Sequence, residues 1–153
     1  MSCAIKRIQK EINELQHSGH SDIPENISIG YTDDPFIWNA TIIGAVDTPY
    51  EGGLFKLNIK LPKNYPFSPP VVHFDTKIFH PNINDSGDIC LDILKSHWSP
   101  AYNLTHVMLS ILSLMSSPNA DDPFNGMAAR LYKTDMGEYI TTVRMYVEKF
   151  AQL

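Results

Sequence analysis

The spacing of the apolar residues changes twice along this chain. Near the N-terminus they recur at the helical interval, at Ile5, Ile8, Ile12 and Leu15. Charged residues occupy other positions of the same segment: Lys6, Arg7, Lys10 and Glu11. The pattern predicts an amphipathic opening helix with a solvated, mostly basic flank, and Gly19 is its predicted stop.

From residue 26 to residue 76 the period shortens to that of β-strands. Four segments carry it: SIGYT, FIWNATIIGA, LFKLNIKL and VVHFDT. The breaks between them are rich in Pro, Gly, Asp and Asn, as expected of turns. Four consecutive strands with short connections predict an antiparallel meander.

Neither period is sustained between Thr76 and Leu104, a segment longer than about 25 residues. Long irregular segments are uncommon in compact domains and tend to carry function, so a site is expected here. Helical spacing then returns in LTHVMLSILSLMSS, which Pro118 ends, and in the shorter AARLYK. A closing amphipathic helix is predicted from four apolar residues: Ile140, Val143, Val147 and Phe150.

This order of elements predicts an α+β domain in which helices pack on an antiparallel sheet. The chain has 153 residues, 43% of them hydrophobic, which is enough for one core, and a single domain over residues 1–153 is expected. A net charge of −5 argues against a surface that holds nucleic acid. No apolar run approaches the roughly 20 residues that span a bilayer, so a membrane role is not expected either. We expect a monomer with protein or small-molecule partners.

The two cysteines, Cys3 and Cys90, make a poor disulfide framework, which predicts a reducing compartment such as the cytoplasm or nucleus. An isolated cysteine is most often a small buried hydrophobe. Cys90, however, lies in the irregular segment between Asp88 and Asp92, and these polar neighbours favour an accessible thiol. Their negative charge also predicts a raised thiol pKa. A thiol that reacts slowly, and whose thiolate is a poor leaving group from a thioester, suits a carrier more than a hydrolase.

A His-Pro-Asn triplet precedes this cysteine in the same segment. His80 is predicted to shape its turn rather than to act as a base, since the residue before a proline is held in an extended conformation. Asn82 has an amide that could donate to an oxyanion, but asparagine is also common in turns, and the two interpretations are equally favoured. A zinc site of Cys90 with His73, His80 or His97 lacks the usual ligand spacing and is disfavoured.

Five segments occur in the order and at the spacing of the ubiquitin-conjugating enzymes: YPFSPP, HPNIN, GDICLDIL, WSPA and SPNADDP. The resemblance covers essentially the whole chain and is greatest to the short, single-domain, ligase-promiscuous class. It implies the fold of that family, with an N-terminal helix, a four-stranded antiparallel meander, a long active-site loop and C-terminal helices.

The resemblance implies that Cys90 accepts the C-terminus of ubiquitin from an activating enzyme as a thioester. Asn82 would stabilise the oxyanion or hold the loop that does, and both roles stay open. Asp122 would orient the incoming lysine amine and help remove its proton, while Asp92 would assist near the thioester. Asn119 would support the same loop. ATP would be used by the activating enzyme, so no cofactor or metal is expected on this chain.

The family's partner surfaces correspond to several further residues. On the first helix these are Lys6, Arg7 and Lys10, for the activating enzyme and ligases. Two loops would form the apolar part of the ligase surface with Phe67, Ser99, Pro100 and Ala101. Lys95 would link ligase, donor ubiquitin and enzyme, and Ser28 would contact a second ubiquitin on the face remote from the thiol. The implied partners are ubiquitin, its activating enzyme, ligases of the RING and HECT types, and protein substrates.

Two departures and two rivals accompany this interpretation. Residues 17–29 form a longer connection than in the nearest relatives. Phe124 and Gly126 occupy positions where the family pattern implies other residues, and Gly126 could loosen the loop that bears Asp122. One rival is a non-catalytic ubiquitin-binding scaffold, although such variants lack the acceptor cysteine. The other is a cysteine hydrolase that uses His80 and Asn82.

Overall fold

The computed structural model describes residues 2–17 and 23–153. Its elements follow the predicted order. Their bounds are α1 Cys3–His17, β1 Ile27–Tyr31, β2 Ile37–Ile43, β3 Leu54–Lys60, β4 Val71–Phe74, a 3₁₀ helix Asp92–Leu94, α2 Leu104–Ser116, α3 Gly126–Thr134 and α4 Met136–Phe150. The predicted α+β architecture is confirmed. The predicted stop at Gly19 lies outside the described residues.

The four strands form one antiparallel sheet in the order β1-β2-β3-β4, as the strand pattern predicts. Its register stacks alternate residues on one face, for example Ala40 opposite Leu57 and Leu57 opposite Phe74. These inward positions are almost fully buried, and the outward positions are more exposed. Strand alternation therefore separates an apolar inner face from a polar outer one.

Helix α2 supplies much of the remaining core. Asn103 caps its N-terminus by accepting from the backbone N–H of His106, and the His106 ring accepts from the backbone N–H of Asn103 in return. Six of its side chains join the core formed by the inner face of the sheet: Leu104, Val107, Met108, Ile111, Leu114 and Met115. The helix is buried around most of its circumference, as its apolar pattern predicts.

One charged residue of α1 lies where the sequence pattern does not put it. Glu11 was predicted on the solvated flank, but it is 5% exposed. Its carboxylate accepts from the Tyr65 hydroxyl and from the Leu104 backbone N–H at 2.9 Å, and it pairs with Arg7 at 3.2 Å. Burial of this charge is tolerated because three donors from separate segments surround it.

The closing helix also differs from its pattern in detail. Val143 and Val147 are buried as predicted, together with Tyr139. Ile140 is 41% exposed and Phe150 36% exposed, so these two do not form part of the core. None of the helices in the described ranges is long and apolar enough to cross a membrane.

The irregular segment after β4 is fastened to the sheet by a turn. The backbone N–H of Phe74 donates to the carbonyl of Gly87 at 2.9 Å, and His73 forms a β-bridge with Asp88. Gly87 has a φ of +85°, and a Cβ there would lie 2.0 Å from the Phe74 carbonyl oxygen. Only glycine fits this position, for both reasons. The turn thus holds the start of the segment that leads to the candidate site.

Candidate active site

Cys90 lies in the middle of the irregular segment, two residues before the 3₁₀ helix. Its backbone N–H donates to the carbonyl of Asn82 at 2.8 Å, which fixes the cysteine beside the His-Pro-Asn triplet. The residue is 8% exposed, so the prediction of an accessible thiol is wrong. The sulfur nevertheless has polar neighbours rather than a purely aliphatic pocket.

Two exposed side chains reach over this sulfur. The thiol of Cys90 donates to Oδ2 of Asp122 at 3.4 Å, and Nζ of Lys95 donates to Sγ at 3.4 Å. Lys95 and Asp122 are themselves exposed. The thiol therefore has one acidic and one basic neighbour, and the side chains of both reach the surface.

Burial raises the pKa of the Cys90 thiol, the hydrogen bond to Asp122 raises it further, and Lys95 opposes both. The predicted direction is confirmed, but the predicted cause is wrong. The carboxylate of Asp88 lies 3.2 Å from the amide nitrogen of Asn84. That of Asp92 accepts from the Ile93 backbone N–H and lies 3.3 Å from His97. The carboxylate at the sulfur comes from a loop 32 residues further along the chain.

That loop comprises residues 119–122 and is called the gate loop below. The side chain of Asn82, which is 1% exposed, holds it from inside. Its Nδ2 donates to the carbonyl oxygens of Asn119 at 2.8 Å and Asp122 at 3.0 Å, and its Oδ1 accepts from the Asn119 N–H at 2.8 Å. Both amide hydrogens are occupied, so the geometry favours the loop-holding role over oxyanion donation.

The gate loop is also held from outside. Nζ of Lys133, on α3, lies 2.7 Å from Oδ1 of Asp121 and lowers the pKa of that carboxyl. Beyond the loop, the backbone N–H groups of Phe124 and Asn125 both donate to the carbonyl of Pro81. Gly126 is the first residue of α3, whose N-terminus Asn125 caps. Gly126 therefore begins a capped helix rather than lying in the gate loop, and a loosening effect on that loop stays a prediction.

His80 is fully buried and bonded on both ring nitrogens. Nδ1 accepts from the backbone N–H of Asn82 at 2.9 Å, and Nε2 lies 2.7 Å from the Leu114 carbonyl, to which it donates. Burial lowers its pKa from 6.5 to about 4, with the Leu114 bond opposing the shift. A neutral ring with both nitrogens committed holds the turn and is not placed to take a proton from the thiol.

The comparison with known families decides the class of protein. The sequence matches the model of the family described as ubiquitin-conjugating enzyme over residues 7–147. The chain belongs to this family. A role in ubiquitin conjugation, with interactions with ubiquitin, activating enzymes and ligases in general, follows from that membership.

In this ubiquitin-conjugating enzyme the predicted partner residues differ in their exposure and in their internal hydrogen bonds. Lys6 and Lys10 are exposed on α1, and Ser28 is exposed on the outer face of β1. Arg7 is committed internally, since it pairs with Glu11 and donates to the carbonyls of Pro100, at 2.7 Å, and Tyr102. Its contact with a partner stays a prediction, and its internal role was not foreseen.

The two apolar loops of the predicted ligase surface lie side by side. Phe67 is 67% exposed, and Pro100 and Ala101 are exposed in the second loop, next to the half-buried Ser99. Nε1 of Trp98 donates to the Pro66 carbonyl at 2.8 Å, which joins the loops. The Arg7 hydrogen bonds hold the second loop from the other side.

The histidines of the disfavoured zinc site have separate partners. His73 lies 3.7 Å from Asp75, His97 lies near Asp92, and His80 is buried in its turn. Within residues 2–17 and 23–153, no group of three or more His, Cys, Asp or Glu side chains is arranged to hold a metal ion.

Sequence reasoning missed two contributors to the site, Lys133 and Phe124. Nζ of Lys95 lies 4.9 Å from the centre of the Phe124 ring, and Lys133 pairs with the gate loop. The only signal for Phe124 was its position directly after the DDP motif. Lys133 carried no signal, because its partner Asp121 lies across the turn between the gate loop and α3.

Proposed function

We propose that this ubiquitin-conjugating enzyme carries ubiquitin as a thioester on Cys90 and transfers it to substrate lysines with ligases of the RING or HECT type. The observation that carries the proposal is the position of Sγ, 3.4 Å from both a carboxylate and an ammonium group at the surface. These three groups supply the nucleophile, a proton acceptor and a positive charge for acyl transfer.

Loading exchanges one thioester for another. The Cys90 thiol loses its proton, and its sulfur attacks the carbonyl carbon of the thioester between ubiquitin and the activating enzyme. The new C–S bond forms, the old one breaks, and the departing thiolate of the activating enzyme takes up a proton. The bond energies of the two thioesters are similar, so no nucleotide is needed on this chain, and ATP is used by the activating enzyme.

The raised pKa of the Cys90 thiol favours storage of the acyl group. A less acidic thiol is a poorer leaving group, so its thioester reacts more slowly with water and stray nucleophiles. Discharge then depends on an amine that a ligase and substrate bring to the gate loop. Asp122 is proposed to orient that amine and accept its proton, and Asn82 and Asn119 to hold the loop in place.

Asp92 is proposed to assist from the rim of the site. Its side chain is 69% exposed and lies beside that of His97. We further propose that the enzyme acts as a monomer in the cytoplasm or nucleus, where its two free cysteines stay reduced.

The test is incubation of the chain with ubiquitin, activating enzyme and ATP, followed by electrophoresis with and without a reducing agent. We expect an adduct that the reducing agent removes. Cys90→Ser should give no such adduct, or a stable ester in its place. The matched control is Cys3→Ser, which changes the other, exposed cysteine and should load normally.

Other outcomes would support the rivals. Failure of the wild-type chain to form an adduct would favour the non-catalytic scaffold. Hydrolysis of small thioester substrates by the isolated chain at enzymatic rates, lost in Cys90→Ser, would favour the hydrolase.

A further inference from the structure

Lys95 makes two contacts that a purely partner-binding residue does not need. Its Nζ lies 3.4 Å from the Cys90 sulfur and 4.9 Å from the centre of the Phe124 ring. We propose that Lys95 is a catalytic residue, whose ammonium stabilises the oxyanion and the leaving thiolate at Cys90, and that Phe124 is its positioning residue. This inference rests on the proposed function, since it names a further catalytic group for the same site.

Asn82, the other candidate donor to the oxyanion, is already occupied. Asn82 spends both amide hydrogens on carbonyls of the gate loop, and its backbone N–H donates to His80. An ammonium has three donor hydrogens, and the structure gives the Lys95 ammonium one hydrogen-bond acceptor, the Cys90 sulfur. Among the side chains described, Lys95 is the donor in contact with the reacting sulfur, so it is placed to serve an oxyanion on the adjacent carbon.

The ring of Phe124 holds the ammonium of Lys95 near the sulfur. A lysine has a flexible four-carbon stem, and a free one would spend little time at the sulfur. A cation over an aromatic face is attracted by the negative face of the ring, which restricts the ammonium to that region. The backbone N–H of Phe124 donates to the Pro81 carbonyl at 2.8 Å, so the backbone that carries the ring is held in place. Phe124 therefore positions the charge of Lys95 next to the sulfur.

Two side chains of opposite charge face the sulfur. Asp122 approaches from the gate loop and Lys95 from the turn after the 3₁₀ helix. The neighbouring carboxylates have other partners: Asp88 lies at Asn84, Asp92 at His97 and Asp121 at Lys133. The ammonium of Lys95 is thus opposed at the sulfur by the single carboxylate of Asp122.

In the transfer step, the substrate amine attacks the thioester carbon and forms the C–N bond. The carbonyl electron pair moves onto oxygen, and the amine proton passes to the carboxylate of Asp122. The intermediate then re-forms its carbonyl and breaks the C–S bond, so that the electron pair leaves on the Cys90 sulfur as a thiolate. Lys95 stays protonated throughout, and it faces first the negative oxygen and then the negative sulfur.

The first assay measures discharge of the preloaded thioester to free lysine without any ligase, in single turnover. Lys95→Met, which keeps length and removes the charge, is expected to slow discharge by roughly 10- to 100-fold. Lys95→Arg should retain most of the rate, because it keeps the charge. Omission of the ligase removes the alternative explanation that Lys95 acts only as a ligase contact.

The second assay needs no ubiquitin. In a Cys3→Ser background, alkylation of Cys90 by iodoacetamide is followed as a function of pH. Removal of the positive charge should move the inflection to higher pH and slow alkylation at neutral pH by roughly tenfold. If the wild-type chain failed to load with ubiquitin, the proposed function would fail while this assay still tested the link between Lys95 and the sulfur.

The matched control is Lys149→Met, because Lys149 also lies over a phenylalanine ring, that of Phe150, at 5.3 Å. It should change neither assay. For the positioning role, Phe124→Leu should reproduce part of the Lys95→Met defect in both assays, and Phe124→Tyr should restore the wild-type values. An unchanged alkylation profile in Lys95→Met, or equal loss of discharge in Lys95→Met and Lys95→Arg, would overturn the proposal.

Discussion

At the scale of single residues, the side-chain amide of Asn82 joins two parts of the site that are distant in sequence. It connects the turn before Cys90 to both ends of the gate loop, through three hydrogen bonds of 2.8 to 3.0 Å. If this is its whole contribution, Asn82 acts on catalysis only through the position of Asp122. The coupling between Asn82 and Asp122 therefore distinguishes loop holding from oxyanion donation, the two roles that the sequence leaves open.

A double-mutant cycle of Asn82 and Asp122 tests whether Asn82 acts only by holding the gate loop. Asn82→Ala alone is expected to slow lysine discharge by about 100-fold, since it releases the loop that carries the proton acceptor. In an Asp122→Ala background the same substitution should cost little more, because coupled residues are non-additive. Single-turnover discharge of the four proteins gives the result. Full additivity of the two losses would contradict loop holding and favour direct oxyanion donation by Asn82.

Motif spacing located Cys90, Asn82 and Asp122, but it did not predict which groups touch the sulfur. Asp88 and Asp92 are nearer to Cys90 in sequence, yet turns commit their carboxylates to Asn84 and to the Ile93 N–H. In an irregular segment no period tells which way a side chain points. Contacts to Lys95 and Asp122 could be known only once the loops were folded.

At the scale of elements, the carboxylate of Glu11 links α1 to two other segments. It binds the hydroxyl of Tyr65, in the loop before Phe67, and the first backbone N–H of α2, at Leu104. Arg7 extends the network to the second loop of the predicted ligase surface, through the carbonyls of Pro100 and Tyr102. Burial and the bond to Glu11 raise the pKa of the Tyr65 hydroxyl well above its usual range, so it stays a donor.

Removal of Glu11 should therefore be costly. Glu11→Ala is expected to lower the free energy of unfolding by about 3 to 5 kcal/mol, because it leaves the buried partners without an acceptor. Tyr65→Phe removes only one donor and should cost about 1 to 3 kcal/mol. Urea denaturation of each variant measures these changes.

Glu14→Ala is the control for this prediction. Glu14 lies three residues along the same helix and pairs with Lys10 at 3.9 Å on the surface. Surface pairs contribute little, so the change should stay within about 1 kcal/mol. If Glu11→Ala lowered the free energy of unfolding as little as Glu14→Ala is expected to, the network would not stabilise the fold.

The elements were largely predictable, and the exception has a clear cause. Strand alternation and helical spacing gave four strands and four helices in the right order, because those periods follow from backbone geometry. The burial of Glu11 could not be predicted in the same way, because an apolar pattern treats every carboxylate as solvent-facing. Its burial depends on donors from Tyr65 and Leu104, which lie 54 and 93 residues away along the chain.

At the scale of the whole molecule, buried His80 makes stability depend on pH. Its pKa is lowered from 6.5 to about 4 in the folded state, so between these values the unfolded chain binds a proton that the folded chain does not. Stability must then fall as the pH falls from 6.5 towards 4. Well above pH 6.5 the ring is neutral in both states and contributes no pH dependence.

Between pH 7 and pH 5 this single group should reduce the free energy of unfolding by about 2 kcal/mol. Urea denaturation of wild type and His80→Gln at both pH values isolates the effect, because the variant lacks the titrating ring. We expect the pH-dependent loss to be smaller in the variant by that amount.

A direct measurement of the His80 pKa complements the denaturation experiment, because His80→Gln also loses packing. Titration of the native protein followed by the NMR signals of the His80 ring should show a neutral ring down to a pH near 4. A titration midpoint near 6.5 in the folded protein would contradict the prediction.

The turn at Gly87 has a consequence for how the protein behaves at high concentration. The C-terminal half of β4 would otherwise present unpaired backbone groups at the margin of the sheet, where another chain could add as a fifth strand. The bond from Phe74 to Gly87 and the bridge from His73 to Asp88 already occupy that margin. The same turn that leads the chain to its thiol thus also removes a template for intermolecular aggregation.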